Sequence, residues 1–173
     1  MIIKGSSQVV ADPVMVYLSL GANLGSRKEN LDRALNLLSH RLTMGKVSQV
    51  YETDPMGNVN QPKFLNLACQ IFTRLAPMEL LTLVKGVELK LGRVSAGANA
   101  SRPIDIDIIF YGDQVVETPE LIIPHPRMAQ RAFVLIPLAE IAPDMVHQVS
   151  KKTVKELLAG IKETQGVFEW KVD

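Results

Sequence analysis

The order in which the apolar period changes along the chain limits its fold more than any single motif. Val14 to Leu20 reads as a strand rich in Val, Leu and Tyr, followed by a helix in which Leu31, Ala34, Leu35 and Leu38 recur at helical spacing. Lys46 to Thr53 and Phe64 to Thr73 read as two more strands. In the latter, Leu65, Leu67, Cys69 and Ile71 share one face, and Phe64, Asn66, Ala68 and Gln70 the other. Pro77 stands where a helix should begin and Gly92 where it should stop. Leu80, Leu81, Val84, Val87 and Leu91 supply its buried stripe, with Lys85, Glu88 and Lys90 more outward. Arg102 to Phe110 closes the series as a fourth strand. Strand, helix, strand, strand, helix, strand is the split βαβ order. It predicts an α+β, ferredoxin-like βαββαβ core: an antiparallel sheet with helices on one face and the other face open to ligand. A short hairpin strand at Val115 and Val116, a helix from Met128 to Ile136 interrupted by Pro137, and a helix from Thr153 to Ile161 should follow. Residues 1–13 carry no clear period and are expected to be a mobile tail before a single domain of residues 14–173.

The fourth strand carries the chemistry. In Arg102-Pro-Ile-Asp-Ile-Asp-Ile-Ile-Phe110, the isoleucines at 104, 106 and 108 point one way, and Asp105 and Asp107 the other. Two residues along a strand advance by roughly 6.6 Å, so the carboxylates stand side by side on one face. Like charges there repel, and Asp is a poor strand former. A divalent cation removes the conflict, and Mg²⁺ takes one or two carboxylates plus substrate phosphate oxygens. A half-exposed edge strand with a solvated acidic face is the alternative, and the Asp-Ile-Asp pattern alone does not choose between them. Arg102 favours the metal, because a guanidinium beside paired acids suits a polyphosphate.

Other features narrow the class. Over 173 residues the net charge is +1, which argues against a partner recognised through a nucleic-acid backbone. No apolar run approaches a membrane span and nothing resembles a signal peptide. A single cysteine, Cys69, rules out an internal disulfide and fits a reducing cytoplasm; on the apolar face it reads as a packed thiol. Gly21-Ala-Asn-Leu-Gly25 has neither P-loop nor dinucleotide spacing and reads as a structural turn, with Ser26 to Glu29 at capping-box spacing. His125 sits between two prolines. It is an inert turn or a ligand contact, and Arg127 and Arg131 nearby favour the contact.

Four stretches together resemble the 6-hydroxymethyl-7,8-dihydropterin pyrophosphokinases of folate biosynthesis. They are Leu18 to Gly25; Tyr51-Glu-Thr-Asp-Pro-Met-Gly57 leading to Gln61-Pro62 and Phe64-Leu65-Asn66; Arg102 to Asp107; and Pro124-His-Pro-Arg-Met128 with Arg131 and Phe133. The resemblance runs from about Val14 to Val146. It implies transfer of pyrophosphate from ATP to the hydroxymethyl of the pterin, releasing AMP, with Asp105 and Asp107 holding two Mg²⁺ ions. It also implies a pterin pocket of Thr53, Asp54, Met56, Phe64, Asn66 and Phe133, and a nucleotide site of Glu88, Arg93, Arg102, Ile108, His125 and Arg131. Arg93 and Arg102 would join the two aspartates as catalytic groups. Without the resemblance, Phe64 and Phe133 read as core. Ser95, Ala98 and Asn99 stand where relatives commonly carry basic or aromatic residues, which shifts the expected hold on ATP toward Arg93, Arg102 and the metal. The expected partners are the two small substrates, with no nucleic acid or membrane, in a monomer or weak homodimer. A nucleic-acid-binding module and a single-phosphoryl kinase of similar fold are the rivals; the latter would release ADP.

Overall fold

Alternating apolar side chains build one sheet, and the helices pack where that alternation places them. The computed structural model describes residues 12–55, 60–94, 100–162 and 166–172. In chain order the elements are β1 (Val14–Ala22), α1 (Arg27–Ser39), β2 (Thr43–Val47), β3 (Tyr51–Thr53), β4 (Phe64–Thr73) and α2 (Pro77–Lys90). Next come β5 (Asp105–Tyr111), β6 (Val116–Glu117), β7 (Ile122–Ile123), a 3₁₀ turn (Met128–Gln130), α3 (Ala132–Ile141), α4 (Val154–Ala159) and β8 (Val167–Glu169). The main sheet runs β5-β1-β4-β3-β8, with β2 also on β4, and all its pairings are antiparallel. The strands β6 and β7 form a separate hairpin.

Val16, Leu18 and Leu20 of β1, the odd-numbered residues of β4, and Ile106 and Ile108 face α1 and α2, and all are buried. Each such side chain contributes roughly 1.5–3 kcal/mol relative to exposure. The expectation of helices on one face needs correction, because α3 packs on the other. Val134, Leu135, Leu138 and Ile141 meet Tyr17, Ala68 and Phe110 there. Glu140 fixes this placement by accepting from Gln49 N (2.8 Å) and Tyr51 Oη (2.6 Å). Only part of the second face therefore stays open, between α3 and the Asp-bearing end of β5.

Four local expectations are also revised. The strand expected over 46–53 is two strands, because the pairing with β4 becomes irregular at Ser48, whose N donates to Ala68 O (2.9 Å) while its Oγ, in place of a backbone carbonyl, accepts from Ala68 N (2.9 Å). Ser26 makes no side-chain cap; the start of α1 is held instead by Arg27, whose Nη1 donates to Glu52 Oε2 (2.9 Å) and Lys63 O (2.8 Å). The helix α3 runs through Pro137, a break that costs about 3 kcal/mol in isolation. Burial of its apolar side chains, Pro137 among them, offsets that cost. Glu88 is buried at 5% exposure, not outward, since it lies one turn beyond Val84 on the sheet-facing side. Most of the expected N-terminal tail lies outside the described residues. Among the described residues no helix is long and apolar enough to cross a membrane.

Candidate active site

The ladder sets the carboxylate pair. Asp107 lies opposite Ser19 and Asp105 opposite Gly21, both half-buried on the open face. Asp105 Oδ1 accepts from Arg93 Nη1 (2.6 Å), and its Oδ2 lies 3.5 Å from Arg102 Nη1. Arg93 also pairs with Glu88, whose carboxylate accepts from Ile106 N (3.3 Å). Burial raises the Glu88 pKa, with the opposing pull of Arg93 second. The Asp107 carboxylate accepts no hydrogen bond from the described residues. Burial, followed by the charge of Asp105, pushes its pKa up to about 7 against the pull of Arg131.

This donor set fits Mg²⁺. Two oxygen donors face one space, one of them buried against a like charge. Among the described residues no cluster of three or more His, Cys, Asp or Glu is gathered for an all-protein cage. A small hard cation that completes its shell with water and substrate oxygens suits such a pair.

Two cavities meet at these aspartates, which line both. The first, of about 200 Å³, is floored by sheet residues and flanked by Phe64 and Phe133. Buried Asn66 donates through Nδ2 to Thr53 Oγ1 (2.8 Å), which leaves its Oδ1 beside Gly21. A Cβ at Gly21 would fall 2.6 Å from that oxygen, so the glycine lets the carboxamide face the cavity. The Arg102 guanidinium lies over Phe64 (5.7 Å) and that of Arg131 over Phe133 (5.5 Å). Stacked this way, each arginine is held by a ring; Arg102 also donates through Nε to Ala100 O (3.1 Å), which leaves part of its fork for a ligand.

The second cavity, of about 320 Å³, is lined by Glu88, Arg93, Ile108 and His125 among others. A β-bulge places the histidine. Tyr17 pairs with Phe110 and Leu18 with Ile108, so Ile109 is the extra residue of β5, and its carbonyl accepts from His125 N (3.0 Å). His125 Nδ1 accepts from Arg127 N (3.2 Å), which puts the ring proton on Nε2. Burial, then Arg131, lowers its pKa to about 4, so it is a neutral donor near pH 7.

The model of the 7,8-dihydro-6-hydroxymethylpterin-pyrophosphokinase family matches residues 17–143. The chain belongs to this family. It is 41% identical over 159 residues to the 2-amino-4-hydroxy-6-hydroxymethyldihydropteridine pyrophosphokinase of Bacillus subtilis, covering 91% of this chain and 90% of that one. It is 40% identical over 144 residues to the Dictyostelium discoideum folic acid synthesis protein FOL1, covering 83% of this chain but 22% of the other. Its fold is shared with a triple mutant of the Plasmodium falciparum HPPK-DHPS (TM-score 0.72, 17% identity), over 88% of this chain and 44% of the solved one.

Most positions implied by the family motifs come together. Thr53, Asp54, Phe64, Asn66 and Phe133 line the first cavity, and Glu88, Arg93, Ile108 and His125 the second. Arg102 and Arg131, expected on the nucleotide side, line the first cavity next to the aspartates. Met56 lies outside the described residues, as do Ser95, Ala98 and Asn99. Three contributors went unread. Gly21 reads in sequence as part of a structural turn, yet it lines the first cavity. Arg127, a neighbour of His125 and part of the Pro124–Met128 motif but not among the ligands the resemblance implies, lines the first cavity. Gly166, just before β8, accepts from Asp54 N (3.2 Å); its φ is +80°, and a Cβ there would collide with the Asp54 carboxylate, so only glycine fits. Only the glycine itself signalled that contact.

Proposed function

We propose that this chain transfers pyrophosphate from ATP to the hydroxymethyl group of 6-hydroxymethyl-7,8-dihydropterin in folate biosynthesis, giving AMP and the pterin diphosphate. The observation that carries this reading is the shared wall. One cavity suits a flat heterocycle, the other a nucleotide, and the same two aspartates separate them. Phe64 and Phe133 would flank the pterin, while Asn66 can donate to and accept from its amide-like edge. Glu88, Arg93, Ile108 and His125 would hold the nucleotide.

Asp105 and Asp107 would hold two Mg²⁺ ions, which when bound neutralise polyphosphate charge and align the displacement at phosphorus. Arg93, Arg102 and Arg131 would add fixed positive charge where the phosphate oxygens become more negative. Phe64 and Phe133, which line the first cavity, would shield the acceptor hydroxyl from water and so favour the alcohol over hydrolysis. No protein nucleophile is needed, and no general base is assigned.

The supporting frame is a ferredoxin-like core in a single domain of residues 14–173, acting in the cytoplasm as a monomer or weak homodimer on small molecules alone. Incubation with ATP, Mg²⁺ and the hydroxymethyl-dihydropterin, followed by separation of the nucleotides, tests the proposal. AMP equimolar with pterin diphosphate is expected. ADP would assign a single-phosphoryl kinase instead.

A further inference from the structure

Every side chain of α3 but one is apolar. In Ala132-Phe-Val-Leu-Ile-Pro-Leu-Ala-Glu-Ile141 only the Glu140 side chain can hydrogen-bond, and both of its oxygens reach across to the sheet side. Oε1 accepts from Tyr51 Oη (2.6 Å) and Oε2 from Gln49 N (2.8 Å), partners 89 and 91 positions away in sequence. Burial, then the bond to Glu140, raises the Tyr51 pKa, so the hydroxyl keeps the proton it donates. The rest of the helix meets Tyr17, Ala68 and Phe110 through Val134, Leu135 and Leu138. Apolar contact of this kind is non-directional: it holds a helix on a sheet without fixing how far it slides or rolls. The two bonds of Glu140 supply the missing direction.

The helix they fix carries one wall of the first cavity. Two turns separate Glu140 from Phe133, so both side chains lie on one side of α3, roughly 10 Å apart along its axis. Across the gap, Tyr51 pairs with Asn66, and Thr53 with Phe64. One end of the link therefore stands on the ladder that carries Thr53, Phe64 and Asn66, and the other on the helix that carries Phe133. All four line the first cavity, while Gln49, Tyr51 and Glu140 line neither. No residue of α3 lines the second cavity. Separation matters here, because a gap of roughly 0.5–1 Å beside a ring forfeits about a quarter to a half of its contact energy.

We propose that Glu140, through Tyr51 and Gln49, is a positioning residue for the pterin: it sets the spacing between Phe133 and the sheet, and so the fit of a flat heterocycle. The inference takes its ligand from the transferase reading above. The alternative is a brace for β3 alone, which would change stability and leave pterin affinity where it was.

Calorimetry combined with thermal unfolding decides between them. Hydroxymethyl-dihydropterin is titrated into protein saturated with a non-reactive methylene analogue of ATP plus Mg²⁺, and the analogue itself into free protein. Glu140 is exposed and Tyr51 half-buried, so substitutions there spare the core. Glu140→Ala should weaken pterin binding roughly tenfold and Tyr51→Phe about threefold, with analogue affinity held within about twofold in both. Glu140→Gln should stay within about threefold of the wild type, since its oxygen can accept from Gln49 N while its NH₂ donates to Tyr51 Oη. Should Glu140→Ala fail to fold, Tyr51→Phe carries the test on the same criteria. Unchanged pterin affinity with a lower Tm, equal losses for both ligands, or Glu140→Gln as weak as Glu140→Ala would overturn the positioning role. If the wild type makes AMP and the variants keep their pterin affinity, that role alone fails. If the wild type binds no pterin and makes no AMP, the transferase reading fails and takes the positioning role with it.

Discussion

The two cavities differ in what builds them. The first draws Gly21, Thr53, Phe64 and Asn66 from three neighbouring strands, whose ladders fix each position against the next. To the shared aspartates of β5 the second adds the end of α2, Arg93 beyond it, and the turn after β7, so its other charged groups stand on α2 and on connections. A flat heterocycle is recognised by shape and by a few donors that must not move, which a sheet supplies. A polyphosphate is recognised largely by charge, which acts over a longer range and tolerates looser placement. Residues of the first cavity should therefore act on one ligand selectively, and the shared aspartates should act on turnover.

The largest effect is expected at the shared wall. Asp105→Asn and Asp107→Asn should each lower kcat by roughly 10³-fold or more, since a neutral amide is a much poorer Mg²⁺ ligand and the loss falls on the transition state. Both variants should fold, because neither side chain faces the α1–α2 core. Steady-state rates over a Mg²⁺ titration are the check, and full activity at saturating Mg²⁺ would remove the metal from the account.

Asn66→Leu should come next. It would leave the polar edge of the pterin without the partner proposed for it, a loss of about 1–3 kcal/mol. Pterin affinity should fall about 5- to 150-fold while ATP affinity holds. Equal losses for both ligands by calorimetry would make Asn66 a structural residue and erase the contrast between the cavities.

A smaller effect concerns stability without metal. The Asp107 pKa of about 7 in the folded chain lies above the ordinary value of 3.8, so the folded state holds a proton that the unfolded state releases. Stability should therefore decline as pH rises from about 4 to about 7, and stay lower above that. Asp107→Asn lacks this penalty. Its apo form should gain on the wild type at pH 8 by on the order of 1 kcal/mol, or a few degrees in Tm, and by little at pH 4. Thermal unfolding in chelator at the two pH values measures the difference, and a gain of the same size at both would rule out the titration as its source.

The smallest effect is expected at exposed Arg127. Its replacement by Ala should change affinity severalfold at low salt and less at high salt, because an exposed charge is readily screened. A loss as large as that of Asn66→Leu would mean that the first cavity, too, works mainly by charge.

Strands and helices driven by apolar alternation were legible from the residues, as in β4, whose limits match the expected Phe64 to Thr73. So was the carboxylate pair, because its spacing is local. Features with distant partners were not. Asn23 takes its meaning from Gln61 and Arg102, 38 and 79 positions away, and nothing near it in sequence announces either. Glu88 reads as outward from its charge alone, because the groups that satisfy its carboxylate when buried, Arg93 and Ile106 N, are set by the fold. The last strand, β8, is only three residues long and is held by pairing with β3, while Trp170 N donates to Val50 O (2.8 Å). Its own periodicity could not reveal that role.

Everything proposed for turnover depends on Asp105 and Asp107 holding the metal between the two substrates. Mn²⁺ stands in for Mg²⁺ and can be counted by electron paramagnetic resonance. The measurement is its stoichiometry in the complex with hydroxymethyl-dihydropterin and a non-reactive ATP analogue. Two bound ions are expected in the wild type and at most one in Asp107→Asn, with nucleotide still bound. Two ions of unchanged affinity in Asp107→Asn would contradict that role.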